Sequence, residues 1–377
     1  MHRSHSANTT DHRRLPHPSP WALGGFLLLS AALLQLAARK LTGFGQWYAV
    51  TVYPAIVGTL GRLTGLFPFS VVEIGLYALI LFCLFFLVKN LRRPKKLLSG
   101  AFLLVSILAL VFTLNCGINY YRQPFSAGSG LTLRKSSTDE LYALCSYLVD
   151  QVGAAKADLD AQAPYAGQTE DTPPPAFRDI RRYSSAGRSA MERLGELFPD
   201  LDGFYPQPKA LIVSRILSVQ QLCGIYSPFT VEANYNREMP RYNIPHTICH
   251  ELSHLKGFMR EDEANFIGYM ACIGSDDPEF RYSGYLTGWV YAGNALAKAD
   301  MDAYITLHQK LPPEAVVDLA YNNSYWNHFD GRVAEASTRM NDTYLKLQNQ
   351  TDGVKSYGRM VDLMLAYYRE SLGGVSQ

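Results

Sequence analysis

Apolar positions run almost unbroken in three places near the start of the chain, at residues 21–38, 69–88 and 97–120, and nowhere later. A bilayer core takes about 20 residues of helix, so each run is a candidate span. Glu73, near the start of the second, is the only charge within them. The first run has an apolar core followed by small residues, as a secretory signal has. A long preceding segment and two further spans favour an uncleaved anchor.

Beyond residue 121 the pattern shortens and mixes. "RQPFSAGSGLTLRKSS" reads as a linker, and "STDELYALCSYLVDQVGAAKADLDAQ" as a helix with a Ser or Thr cap, early acidic residues and apolar positions at helical spacing. After the proline-bearing loop "APYAGQTEDTPPPAF" a second helix is expected over residues 178–198. "KALIVSRILS" and "IYSPFTVEANYN" read as short strands, and helical patterns return from Pro245 to "DGVKSYGRMVDLMLAYYRE". No internal repeat is visible. The expected fold class is therefore α+β: three amino-terminal transmembrane helices (membrane domain 21–121), then a mostly helical domain at 122–377 with a small sheet.

Charge sets orientation more than partners. Lys and Arg number 35 against 33 acidic residues, a formal balance of +2, and nothing calls for nucleic acid. The basic residues cluster in the tail at 1–20 (Arg3, Arg13, Arg14) and in "KNLRRPKK" between the second and third runs (Lys89, Arg92, Arg93, Lys95, Lys96). Both belong in the cytoplasm by the positive-inside rule, which places 122–377 outside the cytoplasmic membrane. Arg39 and Lys40 open the outer loop 39–68 and weigh slightly against this. The rest of that loop, "WYAVTVYPAIVGTLGRLTGLFPF", is aromatic and apolar enough to lie on the bilayer interface, although an ordinary loop fits as well. Cys145, Cys223, Cys249 and Cys272 show no paired spacing and read as buried thiols rather than disulfides.

The chemistry sits in "PHTICHELSHLKGFMREDEANF", residues 245–266. On a helix His250 and His254, four apart, stack on one face within reach of one ion. In an HExxH arrangement the two histidines bind Zn²⁺ and the intervening glutamate, here Glu251, takes a proton from the water at the open position. Pro245 suits a first helical turn. His246, one turn before His250, reads as a solvent-exposed histidine at the helix start, with a fourth nitrogen near the site as the alternative, and Cys249 reads as core. The strand "SPFTVEANYN" alternates apolar and polar residues, as a half-buried strand does, and a cleft-side edge strand that pairs with an extended peptide would suit its position. Tyr282, Tyr285, His328 and Arg332 are candidate donors to a developing oxyanion.

"HELSHLKGFMR" resembles the metzincin run HExxHxxGxxH up to its last position, where Arg260 cannot ligate. "EDEAN" resembles the Glu-x-x-Ala-Asp/Asn element of gluzincin-type peptidases, among them membrane CaaX-type, BlaR-like and ImmA-like enzymes. That resemblance implies Glu261 as the third ligand and Asn265 as the residue bracing a zinc histidine. Glu263 is the alternative ligand, and the unused carboxylates would face solvent or cap the helix. The departure is the separation, with only six residues between His254 and Glu261. As a set, "VYP", "PFS", "YSPFTVEANYN", the metal stretch, "DPEFRYSGY" and "DGVKSYGRMVDL" resemble the domain of unknown function 3810, an uncharacterised bacterial membrane family. That resemblance implies three spans and a zincin-like domain and names no substrate.

The expectation is a multi-pass protein of the bacterial cytoplasmic membrane whose outer domain is a zinc metallopeptidase, with His250, His254 and Glu261 on Zn²⁺ and Glu251 as general base. Its partners would be the lipid bilayer and a peptide or protein substrate. Hydrolysis of another amide or ester suits the same site. The alternative from a different class is a non-catalytic membrane sensor or assembly factor with a zincin-like binding domain, in which the zinc is structural or lost; an intact Glu251 speaks against it, because a structural site has no use for a general base.

Overall fold

The computed structural model describes residues 18–172, 175–347 and 359–372. The basic residues of the amino-terminal tail and the first half of "DGVKSYGRMVDL" lie outside them.

The three apolar runs are helices α1 (Pro20–Lys40), α2 (Val71–Asn90) and α3 (Pro94–Phe112), and α3 continues through tighter and wider turns to Tyr121. Ser19 and Ser70 cap the first two through their side chains, and Pro94 opens the third, where a missing N–H costs nothing. Each is long and apolar enough to cross a membrane. Large side chains such as Leu81, Phe82 and Phe85 point outward, which suits lipid rather than water. Between α1 and α2 the chain forms a run of short α and π turns, from Phe44–Trp47 to Arg62–Gly65. One side of this run is core: Tyr48, Tyr53 and Val57 are buried. The other presents Trp47, Leu60 and Leu63, the two-sided character of a segment at a membrane interface.

After a short helix, Phe125–Ser129, comes α4 (Thr138–Gln162), started by a Ser137–Glu140 capping box, and then α5 (Phe177–Leu197). The sheet has three short strands, β1 (Lys209–Ala210), β2 (Gly224–Ser227) and β3 (Glu232–Tyr235), in the order β1-β3-β2. β1 runs parallel to β3 and β2 antiparallel to it. The remaining helices are α6 (Asn243–Leu255), α7 (Glu261–Ile273), α8 (Pro278–Ala299), α9 (Met301–His308), α10 (Pro313–His328), α11 (Arg332–Leu347) and α12 (Met360–Tyr367). α6 and α7 are buried almost throughout, packed among α5, α8 and the sheet. No disulfide joins any of the six cysteines, all of which lie among the described residues, and Cys145, Cys249 and Cys272 are buried.

Two strand expectations need correction. "KALIVSRILS" yields only β1 and then a short helix, Arg215–Val219, because the Ile212 and Val213 N–H groups donate to Glu73 rather than to a neighbouring strand. "IYSPFTVEANYN" is a hairpin, not one strand: the chain turns between Ser227 and Glu232, with Val231 at φ 54°. β3 is then the central strand and is buried at all four residues, not half-buried. α6 covers it, and the start of α2 reaches it through Glu232, whose carboxylate accepts the N–H groups of Val71 (3.0 Å) and Val72 (2.8 Å).

The membrane segment and the domain share one core. Tyr53 bonds the Tyr226 hydroxyl (2.7 Å), which donates to the Asn115 carbonyl (3.0 Å), while Asn115 Nδ2 donates to the Pro228 carbonyl (2.6 Å). Arg122, buried just after α3 ends, donates to the Lys256 carbonyl (2.9 Å) and lies 3.6 Å from the Phe258 ring centre.

Candidate metal centre

α6 carries His250 and His254 on one face, their ring centres 4.6 Å apart and their planes nearly perpendicular. The helix stops at Leu255 in a Schellman turn: Gly257 N–H donates to the His254 carbonyl (2.8 Å) and Phe258 N–H to the Ser253 carbonyl (3.1 Å). Gly257 sits at φ +87°, a left-handed conformation that favours glycine. A side chain there would also press on Asn119, Tyr53 and Arg122, at 3.3–3.4 Å. The turn brings the Phe258 carbonyl back to within 2.7 Å of His254 Nδ1. A proton on Nδ1 satisfies that bond and leaves Nε2 as a bare donor to an ion.

α7 starts at once, and its first residue, Glu261, faces both rings. Its carboxylate oxygens lie 3.4 Å from His250 Nε2 and 3.7 Å from His254 Nε2. Donor atoms of the three residues lie within 4.8 Å of one another. A tetrahedral ion with bonds of about 2.0–2.2 Å holds its ligands roughly 3.3–3.6 Å apart; the two Glu261 separations are close to that spacing, and the set as a whole, within 4.8 Å, would close onto an ion by small side-chain rotations. Asn265, one turn after Glu261, sets its side chain against His250. Burial works against charge on His250, but the Glu261 and Asn265 contacts outweigh it and hold its pKa up. Burial pulls His254 down to about 4.

Glu251 points toward the sheet. Burial pushes its carboxyl up to about 8; the nearby His250 opposes this, the Glu261 charge adds to it, and a bond from the Tyr226 backbone opposes it. Its Oε2 has no hydrogen-bond partner among the described residues. Gly224 on β2 makes room for it: a Cβ there would stand 2.6 Å from Glu251 Oε1. Glu251 and the three donors open onto one cleft of about 760 Å³.

Glu263, the alternative ligand, turns away. Its Oε1 accepts from Phe125 N (3.1 Å) and Arg260 Nη1 (2.8 Å), tying α7 to the chain that leaves the membrane. Neither it nor Asp262 faces solvent, because Phe125 covers the first and Asp262 packs against Arg359 at 3.2 Å. His246 is buried too, contrary to expectation: its Nε2 lies 3.1 Å from the Asn265 carbonyl, since α6 begins at Asn243 and α7 crosses its first turn. Burial lowers its pKa to about 3. The strand expected beside the cleft is also misplaced, since β3 is central and the edge strand β2 lines the cleft in its stead.

The model of the family described as "Protein of unknown function (DUF3810)" matches residues 48–365. The chain belongs to the DUF3810 family. The match takes in α2, α3, the sheet and the whole of the α6–α7 pair. No curated protein and no solved structure matches the chain.

In this DUF3810 chain none of the four donors suggested by sequence lines the cleft. Tyr282 donates a hydrogen bond to buried Asp318 (2.7 Å), Tyr285 packs edge-on to Tyr147 and Tyr269, His328 packs on Phe329, and Arg332 is exposed at the start of α11. Tyr291 lines it instead, its hydroxyl pKa raised by burial and, to a lesser degree, by the charges of Cys223 and Glu261. Nothing in "GWVYAG" sets Tyr291 apart from 23 other tyrosines; only the packing of α8 on α7 brings it to the cleft.

Proposed function

We propose that this DUF3810 protein is a membrane-anchored zinc metallopeptidase. The observation that carries the reading is the convergence of His250 Nε2, His254 Nε2 and a Glu261 oxygen beside a buried glutamate with an unbonded oxygen, all on one cleft. When bound, zinc would acidify a water and polarise a carbonyl. His250, His254 and Glu261 would hold the ion. Glu251, buried and raised in pKa, takes the proton from the attacking water and returns it to the leaving amine. Asn265 and the Phe258 carbonyl orient the two imidazoles, and Tyr291 offers a neutral O–H to the developing oxyanion.

Charge supports one side of the membrane for the domain. Lys89, Arg92, Arg93, Lys95 and Lys96 lie at the ends of α2 and α3 that point away from the domain, and the positive-inside rule puts that turn in the cytoplasm. Arg39, which argues the other way, donates to the Tyr121 hydroxyl (2.7 Å). On this reading the cleft works outside the cytoplasmic membrane.

Elemental analysis of the full chain in detergent tests the centre, because the domain shares its core with the membrane segment. One zinc per chain is expected, lost in His250→Ala and Glu261→Ala and kept in Glu263→Ala. A folded wild type that takes up no zinc when supplied with it removes the peptidase reading.

A further inference from the structure

The cleft is not walled by the domain alone. Phe112, Cys116 and Tyr120, on the last turns of α3 and its continuation, line it together with Ile225, Phe229 and Met259. Cys116 Sγ lies 3.7 Å from Met259 Sδ, two residues before Glu261. If the hydrocarbon layer begins at Leu97, just after the basic turn, then Phe112 stands about 23 Å along a helix that rises 1.5 Å per residue. That is inside a core about 30 Å thick, and Cys116 is at its edge. The wall of the cleft thus runs from lipid depth to the metal donors.

Its chemistry matches that position. Among the described residues no Lys, Arg or Asp lines the cleft, its acidic residues are Glu251 and Glu261, and its other polar residues, such as Gln221, Asn243 and Asn322, are uncharged. Ile225 and Phe229 are each 44% exposed beside this wall. β2 is an edge strand, bonded to β3 on one side only, so an extended backbone can lie along it next to Glu251. An acyl chain has no use for a strand edge, which favours a polypeptide over a lipid.

The geometry points to a substrate that is itself anchored in the membrane: a polypeptide cut within an uncharged, apolar stretch next to its own span, which reaches the cleft along the end of α3. This rests on the peptidase reading above and adds to it the substrate class. Asn322 and Asn341, on α10 and α11, line the cleft as well, so the apolar wall is the part contributed by the end of α3 and by β2 with the turn after it. A chain already held in the bilayer meets that wall first.

Mapping of protein N-termini in the native host, with the full chain as wild type or as Glu251→Gln, tests it. The expected result is a set of termini present only with wild type, lying within about 15 residues of a span on the domain's side of the membrane, with no charged residue immediately flanking the cut. Wild-type-only termini spread equally through soluble proteins would overturn the inference and leave the peptidase reading in place. Identical termini in the two strains, with zinc bound in both, would remove both. A difference confined to the lipid extracts would assign the cleft to lipid hydrolysis.

Discussion

Glu73 and Glu232 tie the start of α2 to the sheet from both sides: Glu73, in the first turn of α2, accepts the N–H groups of Ile212 and Val213 just after β1, while Glu232 on β3 accepts those of Val71 and Val72. A carboxylate at a helix start satisfies orphan donors and meets the positive end of the helix dipole. Lys209, buried beside Glu232, neutralises its charge.

Removing Glu232 therefore strands Lys209 and two amides at once. Glu232→Ala is expected to destabilise the full chain by about 3–5 kcal/mol, the usual cost of breaking a buried ion pair. Thermal unfolding in detergent measures it, and the double variant Glu232→Gln with Lys209→Met should recover part of the loss. An unchanged Tm in Glu232→Ala would mean that the clamp bears no load.

The turn after the two histidines carries its own prediction. Gly257→Ala imposes a left-handed conformation on a residue with a Cβ, at about 1–2 kcal/mol, and crowds Tyr53, Asn119 and Arg122. His254 should lose its hold on the Phe258 carbonyl, and zinc should leave at lower chelator concentrations than in wild type. Coincident chelator titrations would show that the turn does not position His254.

Glu251 is assigned to proton transfer and not to the ion. Glu251→Gln should lower kcat on an identified substrate by about 10²–10⁴-fold while zinc content stays at the wild-type level. Loss of zinc with this substitution would recast Glu251 as a ligand.

Tyr291→Phe separates chemistry from packing, because the ring stays and only the hydroxyl goes. A fall in kcat of about 10²–10³-fold, the scale for one oxyanion donor, is expected with KM and zinc content unchanged. An unaltered kcat would return Tyr291 to the wall of the cleft.

Much of the architecture was legible in the sequence because its signals are local. Continuous apolar runs place α1, α2 and α3 within a few residues of their observed ends, and Ser137 with Glu140 marks the start of α4. The four-residue spacing of His250 and His254 puts both on one face of α6 by helix geometry alone. What turns Glu261 toward the two histidines and Glu263 away from them is not spacing but the Gly257 turn and the pull of Phe125 and Arg260 on Glu263. The burial of His246, the central place of β3 and the arrival of Tyr291 depend on contacts between distant segments. So does the Glu73–Glu232 clamp, whose partners are about 140 to 160 positions apart in the chain. Hydrophobic periodicity carries no trace of such pairings.

Tyr226 gives that interlock a further meaning. Its backbone bonds Glu251, while its hydroxyl is held by Tyr53 and by the Asn115 carbonyl, both on segments that belong to the membrane part of the chain. Many anchored proteins can be shed by a cut in the stalk and go on working in solution. Here a cut between spans and domain would take Phe112, Cys116 and Tyr120 from the wall of the cleft and Tyr53 and Asn115 from Tyr226, so it is expected to disturb the strand beside Glu251 rather than release the site intact.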